Sequence, residues 1–283
     1  MEIIRIPRIV QDTCRKHFLK GRSIGFVPTM GALHEGHMSL VGRAKMENDV
    51  TVVSIFVNPI QFGPSEDLDS YPRNMEEDIK KLREAEVDTA FLPDGPPMYP
   101  PDFSTYVAVD DISERLCGGL RPGHFRGVTT VVAKMLNITN PTRVYFGQKD
   151  FQQTVVIRRM VKDLNFGVEV VVCPTVREHD GLAMSSRNLY LDVEQRRAAP
   201  VLFRALTAAS DSLKDGRRSS KEVREIMEKI LSEEPLVTRV DYASVYDPVT
   251  LEELDETKNE VLLAVAARLG KIRLIDNLIV NLS

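Results

Sequence analysis

Two histidines three residues apart, His34 and His37, stand in the stretch PTMGALHEGH at 28–37, interleaved with Gly31 and Gly36. Three readings compete: a zinc site, a phosphate cradle, or two solvated histidines capping a helix. The zinc-protease pattern His-Glu-x-x-His is missed, because His34-Glu35-Gly36-His37 is one residue short. Phosphate draws on more of the stretch. Gly31 and Gly36 allow close backbone approach. The helix that follows opens with unpaired N–H groups and a positive dipole end, and the imidazoles add donors that can carry charge. Phosphate is therefore preferred over zinc. Two other segments offer the same chemistry. Lys149, in GQKD, is a cation at a strand end that would complete a phosphate clamp, although most lysines are simply solvated. MSSRN (184–188) presents Ser185, Ser186 and Arg187 in succession, or else an ordinary N-cap ahead of LYLDVEQRR. Neither a P-loop nor a Gly-x-Gly-x-x-Gly fingerprint is available to hold a nucleotide; the pair Gly270–Lys271 is followed by Ile272.

The elements that must position these residues alternate along the chain. SIGFV (23–27) reads as a strand, and HMSLVGRAKMEND has helical spacing with Leu40, Val41 and Ala44 on one side. VTVVSIFV (50–57) is a β-branched run without alternation, which suits a parallel strand covered on both faces. A charged amphipathic helix over 75–86, the strand TAFLP, an apolar helix over 127–138, the strand RVYF (143–146), the helix DFQQTVVIRRMVKDLN and the strand VEVVVCP (168–174) continue the series. Such alternation predicts an α/β fold with a doubly wound, Rossmann-like parallel sheet. Past about residue 175 the character changes. Two charged helices, roughly 192–214 and 219–233, precede strand-like VDYASVY, VLLAVAAR and IRLIDNLIV, which predicts a smaller C-terminal α+β domain over 176–283.

Ligands of open α/β sheets bind beyond the carboxyl ends of the strands. After the first strand come Pro28, Thr29, Met30 and the histidines; after the second, Asn58, Pro59 and Gln61. After RVYF come Gly147, Gln148, Lys149 and Asp150, and after VEVVVCP come Thr175, Val176 and then MSSRN. Four polar clusters at one sheet edge read as one site.

Composition narrows the class. With 283 residues, 43% hydrophobic and 28% charged, the chain can bury a core without staples. A net charge of −4 argues against a nucleic-acid surface. Cys14, Cys117 and Cys173 are odd in number and far apart, which fits a reducing compartment. No apolar run approaches the ~20 residues a bilayer needs, and the N-terminus lacks a signal-peptide pattern. A cytoplasmic soluble protein is expected.

Taken together, FVPTMGALHEGH, VSIFVNPIQFGPSEDLDSYPR, RPGHFRGV, YFGQKDFQQ and REHDGLAMSSRNLYL resemble, in order and spacing, the pantoate–β-alanine ligase (pantothenate synthetase) family. That family belongs to the HxGH nucleotidyl-transferring superfamily, and the resemblance spans essentially the whole chain. It implies attack of the pantoate carboxylate on the α-phosphorus of ATP, giving pantoyl adenylate and pyrophosphate. The β-alanine amine then attacks the acyl carbon and AMP leaves. By motif position His34 and His37 would contact the ATP phosphates, with His37 as proton donor to the leaving group. Lys149, Ser185, Ser186 and Arg187 would hold the triphosphate. Met30, Gly147, Asp150, Val176 and Met184 would line the adenosine. Gln61 and Gln153 would bond pantoate with Asn58 in support, and Tyr71, Arg121 and His124 would be pocket residues. A homodimer is implied as well, with the C-terminal domain acting as a lid.

Two positions depart from the pattern. Some relatives carry glutamate where this chain has Cys117, so that glutamate's role does not transfer. Glu77–Asp78 falls where some relatives are assigned metal contacts, but reads equally as a solvated helix face; Mg²⁺ is expected to arrive with ATP, held by phosphates and water. Three rivals remain. A nucleotidyltransferase that retains AMP in its product typically carries Ser-Ser/Thr-x-x-Arg, whereas Arg187 follows the serines directly. A tRNA-charging enzyme would be longer and less acidic. A nucleotide-binding regulator would not need both histidines, Lys149 and the two glutamines.

Overall fold

The computed structural model describes residues 1–64, 66–216 and 219–282. Contacts divide the chain into two units: residues 1–147 with 152–174, and residues 148–151 with 175 onward.

The first unit runs through β1 (Glu2–Ile4), α1 (Pro7–Leu19), β2 (Ile24–Thr29), α2 (Glu35–Glu47), β3 (Val50–Ile55), α3 (Met75–Glu84) and β4 (Thr89–Phe91). It continues through the short turns α4 (Gly95–Met98) and α5 (Cys117–Leu120), then α6 (His124–Thr139), β5 (Arg143–Gly147), α7 (Phe151–Asp163) and β6 (Glu169–Cys173). The strands form one parallel sheet in the order β1-β4-β3-β2-β5-β6. All six residues of β3 are buried, as the unalternating run Val50–Ile55 requires of a central strand with both faces covered. Val27 and Val53 share a core with Leu40, Val41 and Ala44 of α2 and with Leu82 and Tyr145. Their strand neighbours Phe26 and Val52, also fully buried, point to the opposite face by the two-residue period. Strand order reverses between β2 and β5, so the switch point lies beside Thr29 and Gly147, where such sheets bind ligands.

Three features differ from the sequence reading. Strand β1 and helix α1 precede the first strand expected. A three-residue strand is too short to show a period, and α1 opens with a proline at its first position. The apolar helix read over 127–138 starts earlier, at His124. The single helix read over 192–214 is two, α8 (Val193–Ala198) and α9 (Val201–Lys214), separated at Pro200, which has no N–H to continue the first.

The second unit adds α10 (Ser220–Ser232), β7 (Val237–Tyr246), β8 (Glu260–Leu269) and β9 (Ile272–Asn281), the strands forming an antiparallel β7-β8-β9 sheet. Alternate residues of β8, Val261, Leu263, Val265 and Ala267, pack with Leu202, Leu206 and Leu213 of α9 and with Val223, Met227 and Leu231 of α10. Helices followed by strands thus bury one sheet face under two helices. Among the described residues, no helix is long and apolar enough to cross a membrane.

Candidate active site

The turn between β2 and α2 is held from outside. Gly31 (φ +86°) and Ala32 (φ +49°) both adopt left-handed backbone, which points the amides of residues 32 and 33 the same way. Asp78 of α3 accepts both, its Oδ2 at 2.8 Å from Ala32 N and its Oδ1 at 2.7 Å from Leu33 N. One turn along α3, Lys81 Nζ donates to Leu33 O at 2.7 Å. Thr29 hydroxyl donates to Ser54 O and accepts from Gly31 N–H. A Cβ on Gly31 would lie 3.0 Å from both Asp78 Oδ2 and Ile55 Cγ2, so glycine is needed twice over. Asp78 is therefore not a solvated helix face: it is 2% exposed and both its oxygens are spent on the turn. Burial pushes its carboxyl above the ordinary range, against the pull of the Leu33 and Ala32 amides and of Lys81.

The turn delivers His34 as the N-cap of α2 and His37 one turn in, their rings 4.1 Å apart. His34 Nδ1 accepts from Gly36 N–H at 3.2 Å, and His37 Nδ1 accepts from His34 N–H at 3.4 Å. An Nδ1 that accepts carries no proton, so each neutral ring bears its proton on Nε2. Reciprocal capping thus fixes the tautomer of both imidazoles at the start of α2.

A second network in the same unit centres on Gln61, which is 9% exposed. Asn58 Nδ2 donates to Gln61 Oε1 and to Gly127 O, each at 3.1 Å, while Asn58 Oδ1 accepts from Tyr99 hydroxyl at 2.8 Å. Gln61 Nε2 lies 3.1 Å from Met30 Sδ. Helix α6 approaches so closely here that a Cβ on Gly127 would sit 2.4 Å from Ile60 O and 2.5 Å from Gln61 Cα. His124 Nδ1 meets Gln61 O at 2.8 Å, and its Nε2 meets Arg121 Nη1 at 3.0 Å. Arginine only donates, so Nε2 must accept and Nδ1 must carry the proton given to Gln61 O. Arg121 is anchored in turn by a forked pair with Glu66, at 2.6 and 2.5 Å. That pairing holds Glu66 below the usual carboxylate range despite its burial. Tyr71 is buried edge-on to Phe62. Of the adjacent glutamines on α7, Gln152 is consumed by backbone: it accepts from Cys117 N–H and donates to Ile112 O and Arg115 O. Gln153 stands half-buried beside it.

In the second unit the residues Gln148, Lys149 and Asp150 form a single 3₁₀ turn. Lys149 Nζ lies 3.8 Å from Asp150 Oδ1, and its side chain is 19% exposed. Two carbonyls of this turn, Gln148 O and Lys149 O, accept from Asn277 Nδ2 at 3.0 and 2.9 Å. Residues 176–184 fold back as a hairpin in which Met184 N–H donates to Val176 O, bringing these two together. Ser185 then caps the turn Ser186–Tyr190, accepting from Arg187 N–H, and Ser186 is buried. The hairpin is tied to β9 through Arg177, whose Nη1 and Nη2 fork onto Asp276 at 2.6 and 3.0 Å.

Pro28, Thr29, Met30, Gly31, His34, Gly36 and His37 are thus consecutive along one held turn, and Asn58, Gln61, Arg121 and His124 form one bonded network. Outside the sequence reading, Lys81 and Glu66 hold these two groups, while the 148–150 turn and the 176–184 hairpin are held within the second unit by Arg177, Asp276 and Asn277. The last two were visible as a polar pair inside the apolar strand IRLIDNLIV; Glu66 and Lys81 gave no local sign. Among the described residues, no group of three or more His, Cys, Asp or Glu side chains could hold a metal.

The chain matches the family model described as Pantoate-beta-alanine ligase over residues 2–279. It is 56% identical over 281 residues to the pantothenate synthetase of Thermodesulfovibrio yellowstonii, covering 99% of this chain and 100% of that relative. The solved pantothenate synthetase of Thermus thermophilus is similar at a TM-score of 0.94 and 46% identity, covering 98% of this chain and 99% of that one. The pantoate-beta-alanine ligase of Francisella tularensis, solved in complex with beta-gamma ATP and beta-alanine, aligns at a TM-score of 0.81 and 36% identity over 98% of this chain and 97% of that one.

Proposed function

The chain belongs to the pantoate–β-alanine ligase family, and on that premise we propose how its residues divide the work of joining pantoate to β-alanine at the expense of ATP. A pantoate carboxylate oxygen attacks the α-phosphorus and pyrophosphate leaves. The β-alanine amine then displaces AMP from the acyl carbon, giving pantothenate.

The observation that carries this reading is the pair of imidazoles 4.1 Å apart with Nδ1 of each engaged as an acceptor. Such rings offer Nε2–H donors at a helix N-terminus, where charge builds on the phosphoryl oxygens and the departing pyrophosphate. His37 donates an Nε2–H hydrogen bond to that leaving group, a neutral ring having no second proton to hand over, and His34 bonds the phosphates alongside. Lys149, Ser185, Ser186 and Arg187 take the triphosphate by motif position, the lysine and arginine as counter-charge and the hydroxyls as donors. Gln61 and Gln153 bond pantoate, and the Asn58 and His124 contacts keep Gln61 oriented. Mg²⁺ supplies charge neutralisation when bound to ATP, held by the phosphates and water. The pair Glu77–Asp78 does not fit it, since Asp78 is occupied by two amides and Lys81 stands one turn away. A homodimer, a cytoplasmic setting and a lid role for residues 176–283 complete the proposal. Cys14, Cys117 and Cys173 are buried and joined in no disulfide, which supports the reducing compartment.

The test follows pyrophosphate–ATP exchange and AMP in protein given Mg-ATP and pantoate, with and without β-alanine. Exchange should require pantoate, and AMP and pantothenate should accumulate only with β-alanine. Nucleotide binding without exchange would sink the ligase reading.

A further inference from the structure

Asn277 lies in the middle of β9 and is 3% exposed, next to buried Asp276 and flanked by the apolar Ile275 and Leu278. A buried amide is tolerated there only if its hydrogens are used, and both are. They go to two consecutive carbonyls, Gln148 O and Lys149 O, 129 and 128 residues earlier in the chain. Asn277 Oδ1 faces Gln148 Nε2 at 3.4 Å. The neighbouring Asp276 accepts Asn277 N–H at 2.8 Å and holds Arg177, whose guanidinium lies 4.0 Å over the Phe203 ring and also donates to Gly181 O. Two adjacent polar residues of one strand therefore grip two separate segments, the 148–149 turn and the 177–181 hairpin.

We propose that Asn277 is a positioning residue for Lys149: by fixing the carbonyls on either side of the Lys149 Cα it sets where the lysine stem leaves the backbone, and hence where its ammonium meets the triphosphate. This rests on the phosphate role proposed for Lys149. Filling the strand would not call for such a residue, since an aliphatic side chain packs an apolar strand without needing two acceptors. Misplacing a reacting or binding group by about 1 Å can cost on the order of 10²-fold in rate.

The experiment compares wild type, Lys149→Ala, Asn277→Ala and the double variant in pantoate-dependent exchange, with a thermal melt of each. Asn277→Ala should lose about 10²-fold in kcat/KM for ATP, keep the KM for pantoate within about twofold, and add nothing to the loss in Lys149→Ala, because residues acting as one unit are non-additive. Asn277→Ser, which keeps one donor, should fall between wild type and Asn277→Ala, and serves if the alanine variant does not fold. Multiplicative losses in the double variant, or equal losses toward ATP and pantoate, would overturn the proposal. So would unchanged hydrogen exchange of the amides at 149–152 in the Asn277 variants, a result independent of turnover. Wild type without exchange activity would count against the ligase reading instead, leaving the amide measurement to decide the positioning claim.

Discussion

The turn before α2 and the turn after β5 are each held by one buried side chain from a distant element, and the two clamps have opposite polarity. Asp78 accepts two consecutive N–H groups, and Asn277 donates to two consecutive C=O groups. The backbone decides which is needed. Left-handed residues at 31 and 32 turn amides toward α3, so only an acceptor with two oxygens satisfies both; the 148–150 turn exposes carbonyls, so only an –NH₂ with two hydrogens will do. Asp and Asn are nearly identical in shape, and here neither can replace the other.

Exchanging them is the strongest way to break that comparison. Asn277→Asp would bury a carboxylate against two carbonyls and beside Asp276. About 3–5 kcal/mol of stability should go, as for other uncompensated buried charges, which a chemical denaturation midpoint would register; an unchanged midpoint would mean that the turn swings away freely. Asp78→Asn is milder. One amide keeps its acceptor while the other faces an –NH₂, so roughly 1–3 kcal/mol should be lost, with weaker ATP binding by calorimetry. ATP affinity unchanged alongside that loss would separate the clamp from the phosphate site. Next comes Gly31→Ala, expected to lose about 1–2 kcal/mol for a left-handed alanine, plus the contact at 3.0 Å with the clamp itself. A midpoint matching wild type would show that the turn has another conformation available. The smallest effect separates the clamps by pH, because only one of them titrates. The folded-state pKa of Asp78 lies above its ordinary 3.8, so its favourable contribution is fullest below that value and is lost as pH rises through the raised one. The stability gap between wild type and Asp78→Asn should therefore be wider at acid pH than at neutrality, whereas a gap that grows toward neutrality would reverse the assignment.

Much of this was legible in the sequence. The unalternating Val50–Ile55 run and the strand–helix rhythm mark a parallel sheet, because burial on both faces leaves a readable pattern. Polar residues at the strand ends marked a candidate site through the fold rule rather than through any single motif. Hidden from it were the contacts that hold the site's backbone. Lys81 reads as one more charge on a charged helix, and Asp78 as a solvated carboxylate, until the turn it grips is placed beside it. Gln152 and Gln153 are indistinguishable as letters; only the backbone at 112–117 tells them apart. Pro200 was in plain view and still went unused, because the helical spacing on both sides runs on in register across it.

The grip of Asn277 on the 148–149 turn also sets an order of events during synthesis. Among the described residues, strands β1 to β6 pair with nothing beyond Cys173, so their sheet has its partners well before β9 is made. Lys149 must wait for a residue 128 positions further on, which a ribosome adding about 5–20 residues per second delivers roughly 6–25 s later. Until then the two carbonyls are served by water. A nascent chain stalled in β8 would carry a complete parallel sheet and the histidine turn, yet Lys149 would stand on a turn still without its clamp.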